Sequence, residues 1–219
     1  MDLHACLKAA NAKVMGDHVD PEISLESAIK KEAIPVFSYS TADFNYEIHG
    51  ALCCPQTSKF EKQLQQRYDQ AKKDKALQYD LNLIYKLLPG KYNFSCQLNI
   101  ERGTHRRKPA HHRMISEPFD HRRFNYTKIK QKEILLDLRC SDAPLTSDHL
   151  DRHLVIVNAS PVEKVHSLLI PCVQKCLPQA MTEECFRLST HVMLMSQSSQ
   201  FVIAFNRSGS VTSGQTKVF

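Results

Sequence analysis

The feature that most constrains this chain is a change of hydrophobic period at Pro89-Gly90. Before it, Phe60, Leu64, Ala71, Leu77, Leu81, Ile84, Leu87 and Leu88 recur at helical spacing amid Gln, Lys and Asp. After it, Tyr92, Phe94, Cys96, Leu98 and Ile100 alternate with Asn93, Ser95, Gln97 and Asn99, the two-residue period of a half-buried strand. The spacing predicts helix from Ser58 to Lys86, opened by a capping box of Ser58 with Glu61 and ended by Pro89-Gly90. One stretch committed to helix and the next to short strands points to a layered α+β protein.

The rest of the chain extends that order. Short strands are expected at Phe124 to Ile129, Glu133 to Leu138, Leu154 to Asn158, Ser167 to Ile170 and Phe201 to Phe205, with Pro161 and Pro171 as breaks. Thr182 to Ser196 reads as a helix with Thr182 as its N-cap and Glu183 and Glu184 in its first turn. Phe186, Leu188, Val192 and Met195 form its expected apolar face. Residues 1–57, including an extended mixed stretch from Ile34 to Tyr46, read as an irregular lead-in, and residues 58–219 as one domain.

Composition narrows the setting. A hydrophobic fraction of 42% suits a globular core, and no run of eighteen apolar residues is available to span a membrane. Met1 to Val14 lacks the apolar centre of a secretory signal, so a cytoplasmic location is expected, with the eight cysteines reduced. Cys172, Cys176, Cys185 and His191 are a conceivable zinc set. Structural zinc favours tighter paired spacing, so buried or incidental thiols are the preferred reading and no metal is assigned.

The net charge of +6 is concentrated. Between Glu101 and Lys132 ten Lys or Arg face three acids, so this window is +7 and the remainder −1. Such a segment suits phosphates, acidic partners or plain solvent.

Three stretches carry chemistry, each with an ordinary alternative. Gln97-Leu-Asn-Ile-Glu-Arg-Gly103, running into His105-Arg-Arg-Lys-Pro109, combines a strand, a Gly turn and a forked cationic cluster with Arg102, Arg106 and Arg107. It is a phosphate clamp or a solvated loop. Asn158-Ala-Ser-Pro161 leads to Val165-His166 and a second strand, a hairpin with a polar mouth in which His166 is a site residue or a structural histidine. Phe205-Asn206, Gly209 and Ser213 offer an amide and backbone N–H groups to an anion, or form an ordinary turn.

In order and spacing, these stretches resemble the GDP-D-glucose phosphorylase family and its plant relatives, the GDP-L-galactose phosphorylases, in the histidine-triad superfamily. The similarity also includes Leu88-Pro-Gly90, Pro118-Phe-Asp120, Phe124-Asn-Tyr-Thr-Lys-Ile129 and His166-Ser-Leu-Leu-Ile-Pro171, and spans Phe60 to Ser213. The resemblance implies a histidine-triad-like antiparallel sheet with flanking helices. It implies an enzyme that cleaves a GDP-hexose with inorganic phosphate through a guanylylated histidine, giving GDP and hexose 1-phosphate, with no obligatory metal or cofactor. Asn158 and His166 match its nucleotide-side hairpin, and Asn206, Gly209 and Ser213 match the turn before its catalytic strand.

That strand should alternate His-x-His-x-His, so that the imidazoles share one face. Here the first position falls at Thr216 and the nucleophile at Val218, and Val165 replaces the Gly of the family's Gly-His pair. No catalytic residue is therefore assigned, the fold is expected to be incomplete at its C-terminus, and Phe201 to Phe205 is expected to have one unpaired side. The functional readings are a GDP-hexose phosphorylase by lineage with this chain inactive, a non-catalytic guanine-nucleotide or partner-binding module, and, ranked below both, a nucleic-acid binder using the basic window.

Overall fold

The computed structural model describes residues 34–46, 57–106, 119–142, 151–177, 180–196, 198, 200–205 and 216–218. In chain order the elements are β1 (Val36–Tyr39), α1 (Lys59–Lys73), β2 (Ile84–Leu88), β3 (Phe94–Leu98), α2 (Ile100–His105), β4 (Ile134–Cys140), β5 (His153–Val157), β6 (Ser167–Ile170), α3 (Glu183–Met195), β7 (Ile203–Phe205) and β8 (Thr216–Val218). Six strands form one sheet in the order β1-β4-β5-β6-β8-β7, and β2 and β3 form a separate hairpin. The architecture is α+β, as the sequence predicts.

The core follows from where apolar residues fall on these elements. One sheet face, carrying Leu136, Leu138, Val155, Val157 and Leu169, packs against Phe60, Leu64 and Tyr68 of α1 and Leu188, Val192 and Met195 of α3. The other face carries Leu154, Ile156, Leu168 and Ile170, covered by Val173, Tyr126 and Ile129. All five residues of β5 are buried, which explains the uninterrupted apolar run of its sequence. Within the lead-in stretch, Phe37 and Tyr39 of β1 enter the same core. β1 pairs parallel to β4, so the sheet is mixed, with its other pairs antiparallel.

Both long helices carry the caps their sequences announce. Ser58 Oγ accepts from the Glu61 N–H at 3.1 Å while the Glu61 carboxylate accepts from the Ser58 N–H at 3.0 Å. Thr182 Oγ1 accepts from the Cys185 N–H at 3.2 Å. On α3 the buried face is Cys185, Leu188, His191, Val192 and Met195, while Phe186 points outward. No helix among the described residues is long and apolar enough to cross a membrane.

Four local expectations are corrected. The first helix stops at Lys73, not Lys86. Lys75 turns left-handed at φ 54, and Lys132 Nζ donates to the carbonyls of Asp74 at 3.3 Å and Lys75 at 2.9 Å, closing the helix C-terminus. Ile84, Leu87 and Leu88 fit helical spacing, but Ile84–Leu88 is a strand paired with Phe94–Leu98, and Pro89-Gly90 is part of their turn. A short apolar run satisfies both periods, so the turn residues and the partner strand decide it.

Second, β3 is exposed along its whole length instead of half-buried, and Ile100 belongs to α2, whose N-cap Asn99 accepts from the Arg102 N–H at 3.0 Å. Gly103 accordingly lies inside a helix, not in a turn. Third, Phe124 to Ile129 contains a 3-10 turn at Tyr126–Lys128, because Asn125 Oδ1 accepts from the Thr127 N–H at 3.0 Å and draws the backbone away from extension. Fourth, β7 keeps one unpaired side as the last strand of the sheet order, as expected, but the place beside it expected to be vacant is filled. β8 lies between β6 and β7, with Thr216 opposite Leu169 and Phe205, and Val218 opposite Ser167 and Ile203. Backbone pairing depends little on side-chain identity, so this register is available without histidines.

Candidate functional site

The polar turn between β5 and β6 brings together three of the sequence-predicted residues, Asn158, His166 and Arg102. As β5 ends, the Asn158 N–H donates to the His166 carbonyl at 3.1 Å and closes the mouth of the hairpin. Asn158 Oδ1 accepts from the Ser160 N–H at 3.0 Å, a side-chain turn that bends the chain before Pro161. Asn158 is half-buried, whereas His166 is fully enclosed.

Both ring nitrogens of His166 have a neighbour within the turn, and Nδ1 is the one fixed by a backbone donor. Its Nδ1 accepts from the Val162 N–H at 3.0 Å, and its Nε2 lies 3.1 Å from Asn158 Nδ2. A backbone N–H can only donate, so Nδ1 is the accepting nitrogen of the ring. His166 thus organises the turn from within. Val165, just before it, adopts φ 60. A glycine would suit that conformation, and a β-branched residue there costs on the order of 1–2 kcal/mol.

Arg102 reaches this turn from α2. Its Nη1 donates to the Ser160 carbonyl and lies 3.4 Å from the Tyr79 hydroxyl, which itself donates to the Pro161 carbonyl. Arg106, the C-cap residue of α2, is exposed. Arg107, Asn206, Gly209 and Ser213 lie outside the described residues. Val218 is placed by its backbone opposite Ser167, one residue from His166.

Other members of the basic window have local work. Arg122 and Arg123 pair with Asp120 at 3.2 and 3.9 Å. The Asp120 carboxyl is held below its usual range, chiefly by the Arg122 N–H and then by the Arg122 side chain. Lys132 closes α1 as described. Among the described residues, Arg102 is the member of the window hydrogen-bonded to the 158–163 turn.

Sequence reasoning missed several contributors. Gln97 Nε2 donates to the Val162 carbonyl at 3.0 Å and to the Glu163 carboxylate at 3.2 Å, and the Tyr85 hydroxyl donates to Glu163 at 2.7 Å. That hydrogen bond raises the Tyr85 hydroxyl above its ordinary pKa, since the phenol must keep its proton to donate to Glu163. Gln97 stands in a motif that sequence analysis quotes; Tyr79, Tyr85 and Glu163 give no local signal, because their roles arise only when distant segments meet.

The cysteine set is not assembled as a metal site. The buried Cys172 thiol lies 3.8 Å from His153 Nδ1 and is pushed up to about 11 by burial, which keeps it protonated. His191 Nδ1 lies 2.9 Å from the Tyr39 hydroxyl. Among the described residues no group of three His, Cys, Asp or Glu is arranged to hold a metal.

Fold and turn together define an α+β protein with a polar strand-to-strand site beside a short sheet end. Comparison with known proteins then makes the assignment more specific. The family described as "GDPGP1-like, N-terminal domain" matches residues 59–219, and the chain belongs to this family. It is 40% identical over 209 residues to GDP-D-glucose phosphorylase 1 of Caenorhabditis elegans, covering 90% of this chain and 43% of that protein. It is 33% identical over 184 residues to GDP-D-glucose phosphorylase 1 of Danio rerio, covering 81% and 50%. It is also 33% identical over 139 residues to GDP-L-galactose phosphorylase 2 of Arabidopsis thaliana, covering 57% and 32%. The chain thus spans half or less of the length of these relatives. No solved structure matches it.

Proposed function

We propose that this chain carries the nucleotide-side portion of a cytoplasmic GDP-hexose phosphorylase, acting on GDP-D-glucose and inorganic phosphate. The observation that carries the reading is a family match over residues 59–219, a span that includes α1 and the Asn158-to-His166 turn. In this reading Asn158, Asn206, Gly209 and Ser213 approach the nucleotide phosphates and His166 holds the turn. Arg106 and Arg107 supply positive charge, and Arg102 acts on the same side.

The proposed chemistry is attack of a histidine on the α-phosphorus, with the P–O bond electrons leaving on hexose 1-phosphate. Inorganic phosphate then takes the GMP group from the histidine to give GDP. Thr216 and Val218 stand where the resemblance sets alternating histidines; Val218, at the nucleophile's position, has no nucleophilic atom, and Thr216 has no imidazole. The 219-residue chain is therefore read as binding the nucleotide without turning it over. The second reading, a non-catalytic guanine-nucleotide or partner-binding module, rests on the same two residues.

The test combines GDP-glucose phosphorolysis, followed as GDP release, with calorimetric binding of GDP and ADP at fixed salt. Preference for GDP without turnover is expected. Turnover by the purified chain would remove the claim of inactivity, and equal, weak binding of both nucleotides would remove the nucleotide reading. A nucleic-acid binder would instead lose affinity steeply with salt.

A further inference from the structure

Four consecutive carbonyls of the candidate turn receive donors from one short stretch of chain. Ala159 O accepts from the Gln78 N–H at 2.8 Å, and Ser160 O from the Arg102 guanidinium. Pro161 O accepts from the Tyr79 hydroxyl, and Val162 O from Gln97 Nε2 at 3.0 Å. The Glu163 carboxylate continues the series, accepting from Tyr85 and again from Gln97. Every donor lies between residues 78 and 102. A surface turn ordinarily leaves such carbonyls to water.

The consequence is geometric. Peptide units are planar, so fixing each carbonyl fixes the plane and the direction of the N–H at its other end. The Ser160 N–H is thereby aimed at Asn158 Oδ1 and the Val162 N–H at His166 Nδ1, the bonds that orient those two side chains. The donors come from the α1–β2 connection, from β2 and β3, and from α2, and none of the five residues belongs to the two apolar clusters of the sheet. The connection to the turn is polar and specific.

We propose that Arg102, Gln97 and Tyr79 are positioning residues that set the peptide planes of residues 159–162, and so hold Asn158 in its nucleotide-accepting orientation. Arg102 then acts through the turn, without touching phosphate itself. This role rests on the nucleotide reading above, and the clamp itself does not.

The test uses the full 219-residue chain with Gln97→Glu, which keeps size and removes the donor, and Arg102→Met as an independent variant. Hydrogen–deuterium exchange of peptides spanning 158–166, measured without ligand, reads the clamp, and calorimetry with GDP reads positioning. Both variants are expected to exchange faster in these peptides and to bind GDP about three- to ten-fold more weakly per hydrogen bond removed. For Gln97→Glu, whose carboxyl would face Glu163 and Tyr85, the affinity deficit should shrink as the pH falls from about 7 to about 4, because the introduced carboxyl donates only when protonated. A merely structural loss would show no such recovery.

Unchanged exchange in both variants would overturn the clamp. Faster exchange with unchanged GDP affinity, or a deficit in Gln97→Glu that ignores pH, would overturn the positioning role. Failure of the unsubstituted chain to bind GDP would overturn the nucleotide reading, a failure distinguishable from that of the clamp because exchange is read without ligand.

Discussion

β5 and β3 both announce themselves as strands in the sequence, yet they live in opposite environments. Every residue of β5 is buried, and every residue of β3 is exposed. β5 has a strand on each side and an apolar layer on each face. β3 has one partner strand, and that hairpin meets the β5–β6 turn through hydrogen bonds. The contrast teaches that an apolar strand pattern, continuous or alternating, specifies a strand but not its covering. In the sheet body, burial supplies the stability, whereas the hairpin keeps Ile84, Leu87, Phe94 and Leu98 in water and is located by polar contacts.

The contrast is broken or kept first in the body. Leu136 and Leu188 have no exposed surface. Leu136→Ala and Leu188→Ala should each lose about 2–5 kcal/mol of unfolding free energy, since the transfer term and the residual cavity act together. Urea titration measures this directly. A loss below about 1 kcal/mol at both positions would mean that the body is not the stability centre.

The next effect concerns charge inside the same body. The Asp137 side chain is 1% exposed and meets Arg152 Nη2 at 3.1 Å and Arg139 Nη2 at 3.1 Å, their side chains being 13% and 48% exposed. Arg152 also donates through Nε at 3.2 Å. Arg152→Met removes the better-buried partner and should cost about 3 kcal/mol, because a carboxylate is left in the interior with one half-exposed counter-charge. A near-neutral result in urea would show that Arg139 alone suffices.

A smaller effect is a pH dependence. His153 is buried, and its pKa is lowered chiefly by burial, with the nearby Asp151 and Asp137 charges pulling the other way. The folded state therefore takes up a proton less readily than the unfolded chain. Its contribution to stability is complete above the unfolded pKa of about 6.5 and is lost as the pH falls through that value towards the folded one. The pH profile of unfolding should accordingly decline below about 6.5, and His153→Gln should flatten that decline. An unchanged slope would remove His153 as its source.

Much of the body was legible in the sequence. The Ser58 and Thr182 caps, the β-branched run of β5 and the apolar face of α3 are local signals, and local physics honours them. Phe186 fails because α3 buries only one side, and the inward stripe passes through Cys185 and His191 instead. The end of α1 was hidden because Ile84, Leu87 and Leu88 fit helical spacing as well as a strand. At the site, Asn158, His166 and Arg102 stand out by residue type, whereas Tyr79 and Glu163 acquire their roles only when segments some eighty residues apart meet. No window of sequence contains that information.

The smallest expected effect is the sharpest test of the comparison. Leu87 and Phe94 are 63% and 65% exposed, so truncating them removes little apolar surface that folding had withdrawn from water. Leu87→Ser and Phe94→Ser should therefore stay within about 0.5 kcal/mol of the unsubstituted chain in urea, against several kcal/mol for a leucine of the body. Two-stranded sheets are marginal on their own, so the hairpin should also exchange its amides faster than β5, with or without these changes. A loss above about 2 kcal/mol from either substitution would show that an apolar surface covers the hairpin in solution. The division between a body held by burial and a hairpin held by hydrogen bonds would then fail.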